Sequence, residues 1–275
     1  MKSVNVKVEG KKIGIIGIGN IGTSILRGLL ATVDDADARF LINDLRRESL
    51  DAFAGEPRVE ICESNEELAK KAEIVILAVK PKDVRMVLEP IAPLMTDKLL
   101  ISVAAGVSTA ELERYLGEGK RVIRVMPNIG ARVGESVSVL CRGRNAVADD
   151  EELADEIFSA IGSVYHMNES DMDVITGLSG SGIAFFAEVI DAMADAGVYE
   201  GLPRGSALTI AARTALGAAR MILAGDDPAT IKAMTASPGG TTIRGLYAME
   251  SRAVRAAMMD AVIEATRRSR EMNRR

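Results

Sequence analysis

The chain has 275 residues, of which 48% are hydrophobic, enough to bury the cores of one or two domains. Its 34 Lys and Arg and 39 Asp and Glu are interspersed and sum to a net charge of −5, which excludes the basic face of a nucleic-acid-binding protein. One histidine, no tryptophan and two cysteines exclude a disulfide framework and any metal site built from His or Cys clusters.

The opening MKSVNVKVEGKK is polar and lacks the apolar centre of a secretory leader. No apolar run reaches the ~20 residues of a membrane span, so no membrane partner is expected. Cys62 and Cys141 read as small buried hydrophobes in a reducing, cytoplasmic setting. Through residue 167, short apolar runs alternate with amphipathic stretches, the pattern of βαβ units and a parallel sheet. Strands are predicted at 12–17, 39–43, 58–62, 73–79, 98–103, 121–126 and 135–141, with a short one at 163–167. Helices are predicted at 20–31, 46–54, 64–72, 82–95, 108–117 and near 150–162, and Ser64 with Glu67 has the form of a capping box. After 168 the strand-like runs vanish, and Ala, Met and Leu at helical spacing fill 183–200, 205–224 and 246–272. Alanines at 207, 211, 212, 215, 218 and 219 let a neighbouring helix approach closely, as an interior or intersubunit helix requires. The expected plan is an α/β protein. Residues 1–167 form a Rossmann-type domain with a parallel sheet, and 168–275 form an all-helical domain.

The strand ends carry the chemistry. Gly17-Ile18-Gly19-Asn20-Ile21-Gly22 follows the first strand and opens the first helix. Gly17 permits the turn, Gly19 lets backbone approach a pyrophosphate, Gly22 lets helix and strand pack, and the helix dipole faces the phosphates. About twenty residues on, Asn43-Asp44-Leu45-Arg46-Arg47 ends the second strand. An acid there accepts from a ribose 2′-hydroxyl and favours NAD, whereas an arginine pairs with a 2′-phosphate and favours NADP. Arginine gains nothing from a helix N-terminus, so Arg46 and Arg47 favour NADPH over NADH, against the repulsion of Asp44; the alternative is two solvated first-turn arginines. Ala78-Val79-Lys80-Pro81, Ala104-Ala105-Gly106 and Met126-Pro127-Asn128 occupy three further strand ends, where open parallel sheets bind ligands.

In the helical half, Thr176–Gly182 and Thr235–Thr242 each read as a Ser/Thr/Gly segment just ahead of a helix, suited to a carboxylate; the alternative is a capped turn. Gly177, Gly180 and Gly182 match the glycine spacing of the β-hydroxyacid dehydrogenases, but their catalytic lysine position is Phe186. A carbonyl reduction without Lys, His or Tyr is disfavoured. An imine asks for less, because its protonated nitrogen is already electrophilic and needs mainly orientation and a hydrogen bond.

Taken together, IGIIGIGNIG (13–22), LAVKP (77–81), SVAAGV (102–107), RVMPN (124–128), TGLSGSG (176–182), DAGVYEGLPR (195–204) and SPGGTT (237–242) resemble the Δ1-pyrroline-5-carboxylate reductase family along essentially the whole chain. SPGGTT is the specific motif among them. The resemblance implies NAD(P)H-dependent reduction of pyrroline-5-carboxylate to proline, and a helical dimerisation domain giving a homodimer or a higher oligomer of dimers. It implies that Thr242 hydrogen-bonds the ring nitrogen and that Ser237, Gly239, Gly240 and Thr241 hold the substrate, with backbone N–H groups of Gly240 and Thr241 on its carboxylate. Gly17, Gly19, Asn20, Ile21, Gly22, Asn43, Arg46, Arg47, Ala78, Val79, Lys80 and Pro81 would bind cofactor, with Ala104, Ala105 and Asn128 lining the nicotinamide. Ile129-Gly130 stands where the family usually has Thr-Pro, and Ile183 where it has proline, which bears on the exact imine. The alternatives are a reductase of a related cyclic imine carboxylate and a non-catalytic dinucleotide sensor. His166 matches no catalytic position and reads as structural or exposed; the methionines read as core or dimer contacts.

Overall fold

The computed structural model describes residues 8, 10–35 and 37–272. Strands β1 (Lys12–Ile16), β2 (Arg39–Asn43), β3 (Val59–Ile61), β4 (Ile74–Leu77), β5 (Leu99–Ser102), β6 (Arg121–Met126), β7 (Ser136–Arg142) and β8 (Gly162–His166) form one sheet. Their order is β3-β2-β1-β4-β5-β6-β7-β8. Between them lie α1 (Asn20–Thr32), α2 (Glu48–Asp51), α3 (Asn65–Lys71), α4 (Val84–Ile91), α5 (Thr109–Leu116) and α6 (Ala148–Ser159).

The central strands are apolar throughout because helices cover both faces of the sheet. Ile13, Ile15, Phe40, Ile42 and Ile76 point to one side and pack with Ile25, Leu26 and Leu29 of α1 and Phe158 of α6. Leu41, Val75, Leu77 and Leu100 point to the other and pack with Leu68, Leu88 and Leu112 of α3, α4 and α5. Each such fully buried side chain contributes about 1.5–3 kcal/mol. Ser64 caps α3 as its spacing suggests, accepting from the Glu67 N–H at 3.1 Å. The helix expected over 82–95 is instead a short α4 flanked by 3₁₀ turns at Pro81–Asp83 and Ala92–Leu94. Pro90 and Pro93 lack the N–H groups that would continue it.

All neighbouring strands run parallel except β6 and β7, which pair antiparallel and amend the parallel-sheet expectation at that pair. A parallel crossover needs a dozen or more residues, and the connection 127–135 is shorter. It reverses through a 3₁₀ turn at Ile129–Val133 and left-handed Gly134.

The chain divides into two compact units, and the division differs from a cut at 168. The sheet unit extends to Gly180 and takes back the last helix from Ala265, leaving Ser181–Glu264 as the second. Residues 168–180 fold with the sheet because Met172, in α7 (Met172–Ile175), and Ile175 pack on Met126, Val139 and Cys141. The returning helix is tied there by Ser269, whose hydroxyl donates to Asp173 at 2.6 Å.

The second unit holds α8 (Gly182–Tyr199), α9 (Arg204–Leu223), α10 (Pro228–Thr235), α11 (Thr241–Ser251) and the start of α12 (Val254–Met272). The single helix expected over 246–272 is interrupted at Ala253, which has φ 53°. No glycine marks that break, so the sequence hides it. Helices α8 and α9 meet through alanines: Ala194, Ala207 and Ala211 are the buried hydrophobic side chains described in this unit. A Cβ on Gly197 would lie 3.1 Å from that of Ala207. Phe186 (64%), Ile210 (56%) and Tyr247 (75%) are exposed. By length and composition the helical run Glu169–Tyr199 could cross a membrane, with a mean hydropathy of 1.4. Arg204 nevertheless pairs with Asp191 and Asp195 on that helix, a charged cluster that lipid would not solvate.

Candidate active site

The strand order reverses between β1 and β4, which opens a crevice at the carboxyl ends of these two strands. Gly17 turns the chain there with φ 98°, and its N–H donates to Asn43 O at 2.8 Å. A Cβ on Gly17 would lie 2.7 Å from Ala78 O, and one on Gly22 would lie 2.0 Å from Gly17 O. These two glycines therefore serve packing. Gly19 differs: a Cβ there would meet only an Arg46 guanidinium nitrogen, at 4.0 Å. Gly19 is also the N-cap of α1, which has no side-chain cap and no acid in its first turn. The positive end of the helix is left open to an anion, and the loop fits a pyrophosphate.

A groove of about 540 Å³ runs along this loop. Of the residues singled out from the sequence, Gly17, Gly19, Asn43, Asp44, Arg46, Ala78, Val79 and Lys80 line it. Asn20, Ile21 and Gly22 form the first turn of α1 behind it, and Pro81 starts the 3₁₀ turn after Lys80. Arg47 is exposed at the head of α2 and does not line the groove. Sequence reasoning missed Leu45, Asn65, Lys82, Asp83, Met86 and Val87 as lining residues. Leu45 is 93% exposed. The buried Oδ1 of Asn65 has no hydrogen-bond partner, an acceptor left for a ligand. Asn65 follows β3, so treating every strand end alike would have found it. Met86 and Val87 sit inside α4, where only the fold shows them.

Asp44 is 10% exposed and already occupied. Its Oδ2 accepts from the Ile18 N–H at 2.7 Å, and its Oδ1 from the Arg46 N–H at 2.8 Å. Arg46 Nε lies 3.5 Å from the same Oδ1.

Further along the crevice, Ala104 is buried after β5, and Ala105 packs against the cluster formed by Met126, Val139, Cys141, Met172 and Ile175. Asn128 is fixed by its own bonds: Oδ1 accepts from the Gly130 N–H at 3.0 Å, and Nδ2 donates to Ser179 Oγ at 2.9 Å. Ser179 belongs to a π-helical turn, Thr176–Gly180, that joins α7 to the residues before α8. Residues 176–182 thus do not precede a helix as a free N-terminus; they continue a helical run, and π-turns are frequent at functional sites.

In the second unit, the SPGGTT segment forms a tight turn. Gly239 is left-handed with φ 70°, and the Gly240 N–H donates to Ser237 O at 3.0 Å. A Cβ on Gly240 would lie 2.3 Å from Ser237 Oγ, so a side chain there would displace the Ser237 hydroxyl. Since the Gly240 N–H closes the turn, it is not open to a carboxylate as expected. The groups that remain are the N–H of Thr241 and Thr242, at the head of α11, which has no side-chain cap.

Other polar clusters are paired internally, although Arg124 Nη2 is buried without a hydrogen-bond partner. Glu60, Cys62 and Glu67 come together, but the Lys71 ammonium bridges both carboxylates at 2.6 Å each. Burial pushes the Cys62 thiol up to about 11 and the Cys141 thiol up to about 12, so neither is a thiolate nucleophile. Buried Arg124 pairs with Glu169, which also accepts from the Thr109 N–H at 3.2 Å. A second cavity, about 620 Å³, is lined by Cys141, Arg142, Arg144, Glu151 and His166 among others and shares no residue with the groove.

Known proteins resemble the chain along nearly its whole length. Residues 169–272 match the family model described as pyrroline-5-carboxylate reductase dimerisation, and 12–106 that of NADP oxidoreductase, coenzyme F420-dependent. The pyrroline-5-carboxylate reductase of Methanosarcina acetivorans is 43% identical over 98% of this chain and 100% of its own. The crystal structure of Plasmodium falciparum pyrroline carboxylate reductase with NADP bound is 30% identical and superposes with a TM-score of 0.87, covering 97% of this chain and 99% of that one. A pyrroline-5-carboxylate reductase from Coxiella burnetii is 31% identical with a TM-score of 0.89, covering 96% and 99%. A relative this similar over its entire length settles the matter: the chain belongs to the pyrroline-5-carboxylate reductase family.

Proposed function

We propose that this protein reduces Δ1-pyrroline-5-carboxylate to L-proline with NADPH, the last step of proline biosynthesis, as a cytoplasmic homodimer or an oligomer of dimers. The observation that carries the reading is the SPGGTT turn, which opens α11 with glycine at its N-cap and leaves the Thr241 and Thr242 N–H groups uncapped. A substrate carboxylate fits those groups, with Ser237 and Gly239 shaping the turn and Thr242 presenting its hydroxyl to the ring nitrogen. Supporting the cofactor are the open Gly19 loop, Arg46 beside it, and the NADP named for the Plasmodium relative.

Bound NADPH supplies a hydride to the imine carbon. The protein's own part is to orient. Thr242 Oγ accepts from the protonated ring nitrogen, whose proton stays on the product amine. The helix dipole of α11 holds the carboxylate, and with the ring nitrogen held as well the ring is fixed in one orientation. No proton-transferring side chain is required, which suits a chain whose lone histidine is engaged by Glu151 and Asp155.

Dimerisation is supported by the family model over α8 to α12 and by the apolar side chains these helices expose. The unpaired cysteines support a reducing compartment. The test is to follow NADPH oxidation with pyrroline-5-carboxylate and, separately, with pyrroline-2-carboxylate and a piperideine carboxylate. Turnover fastest on the first is expected. Preference for a rival imine would reassign the substrate, and binding without turnover on any of them would leave a dinucleotide sensor.

A further inference from the structure

An acid at the end of the second strand is ordinarily read as a ribose 2′-hydroxyl acceptor that repels a 2′-phosphate. The geometry points to a different task for Asp44: it is a positioning residue that holds Arg46 over the glycine loop, and so promotes recognition of the cofactor's 2′-phosphate. This inference rests on the NADPH reading above.

Three observations carry it. The Asp44 carboxylate is nearly buried, and each of its oxygens is taken by a backbone N–H, that of Ile18 at 2.7 Å and that of Arg46 at 2.8 Å. Two short amide donors engage one lone pair on each oxygen and offset part of the charge, which weakens Asp44 both as a ribose acceptor and as a source of repulsion to a phosphate. The first amide belongs to the glycine loop itself. Asp44 therefore fastens the end of β2 to the loop that faces the phosphates.

The second amide and the side chain belong to Arg46. With its backbone N–H on Oδ1 and its Nε in an ion pair 3.5 Å from the same oxygen, Arg46 is drawn to Asp44 along its inner edge. Its outer terminal nitrogen is left pointing over Gly19, 4.0 Å from where a Cβ would stand. The side chain is 64% exposed, so without this hold it would sample many rotamers in water. Guanidinium groups recognise phosphate by a fixed fork, and fixing the inner edge prepares the outer one. Asp44 thus acts on the phosphate through Arg46 without touching it.

The two views of Asp44 predict opposite signs. The experiment titrates the full-length protein calorimetrically with 2′-phospho-ADP-ribose and with ADP-ribose, which reads recognition without turnover. Wild type is expected to prefer the first probe. Asp44→Asn should weaken the 2′-phosphorylated probe roughly three- to tenfold more than the other, a modest effect because Arg46 is exposed. In an Arg46→Ala background, Asp44→Asn should move both probes equally. Asp44→Glu keeps the charge but displaces it, and should lose selectivity as Asp44→Asn does. If Asp44→Asn leaves the preference unchanged or sharpens it, as simple repulsion demands, or if Asp44→Glu keeps the wild-type ratio, the inference is overturned. If wild type binds both probes equally, the NADPH reading fails and takes this inference with it.

Discussion

At the scale of single residues, the side chain proposed to act nearest the chemistry is Thr242, at the head of α11. A hydrogen bond to a charged group is worth roughly 1.5–3 kcal/mol. At 1.36 kcal/mol per decade, Thr242→Ala should lose roughly 10- to 150-fold in kcat/KM for the imine. Thr242→Ser, which keeps the hydroxyl, should retain most activity, and cofactor affinity should hardly move in either variant. Steady-state kinetics check this, and near-normal kcat/KM in Thr242→Ala would leave the backbone N–H groups alone to orient the substrate. His166 has a structural part. Its Nδ1 lies 2.9 Å from Glu151 and its Nε2 3.0 Å from Asp155. Burial opposes its charging, but the Glu151 hydrogen bond and the Asp155 charge outweigh burial and raise its pKa above 6.5. A raised pKa stabilises the fold fully below the unfolded value and ceases to do so as pH climbs through the folded one. The Tm difference between wild type and His166→Gln should therefore be largest at about pH 5.5 and vanish by about pH 9.

At the scale of elements, the β1–α1 turn separates two kinds of glycine. Gly22→Ala drives a Cβ to 2.0 Å from the Gly17 carbonyl, so backbone must move. It should cost about 1–3 kcal/mol of stability, the usual cost of overpacking, with cofactor affinity falling as a consequence. Gly19→Ala meets only the tip of Arg46, at 4.0 Å, and Gly19 has φ −84°, which alanine adopts freely. It should melt like wild type yet bind both NADPH and NADH more weakly, because its new methyl occupies the approach to the pyrophosphate. Thermal melts with cofactor titrations distinguish the two; a destabilised Gly19→Ala would show that this glycine serves packing as well. The same spacing GxGxxG thus leaves one position open and gives two to the scaffold, and only the distances say which.

At the scale of the whole molecule, the helical unit is unfinished by itself. Between Ser181 and Glu264 the buried hydrophobic side chains are three alanines, while Phe186, Ile210 and Tyr247 remain exposed. Exposed apolar surface on this scale marks an interaction surface. The protein should behave as at least a dimer, twice the 29.3 kDa chain or more, in light scattering at micromolar concentration. A single 29.3 kDa species would overturn this reading.

The sequence by itself determined the alternation of strands and helices, because runs such as KIGII and IVIL are buried on both faces and have no polar side to hide. It determined the glycine loop and the SPGGTT turn, because both depend on residues whose missing side chains are local facts. Helix breaks without a glycine or proline signature, as at Ala253, left no local trace. Tertiary structure alone decided that 168–180 and the end of the last helix, from Ala265, belong with the sheet, since that depends on Met172 and Ser269 finding partners far along the chain. It also decided that Arg46 rather than Arg47 faces the groove, and that the Gly240 N–H closes a turn instead of greeting a carboxylate. Each of these turns on where a donor points, and direction is set by packing between segments that the order of residues does not bring together.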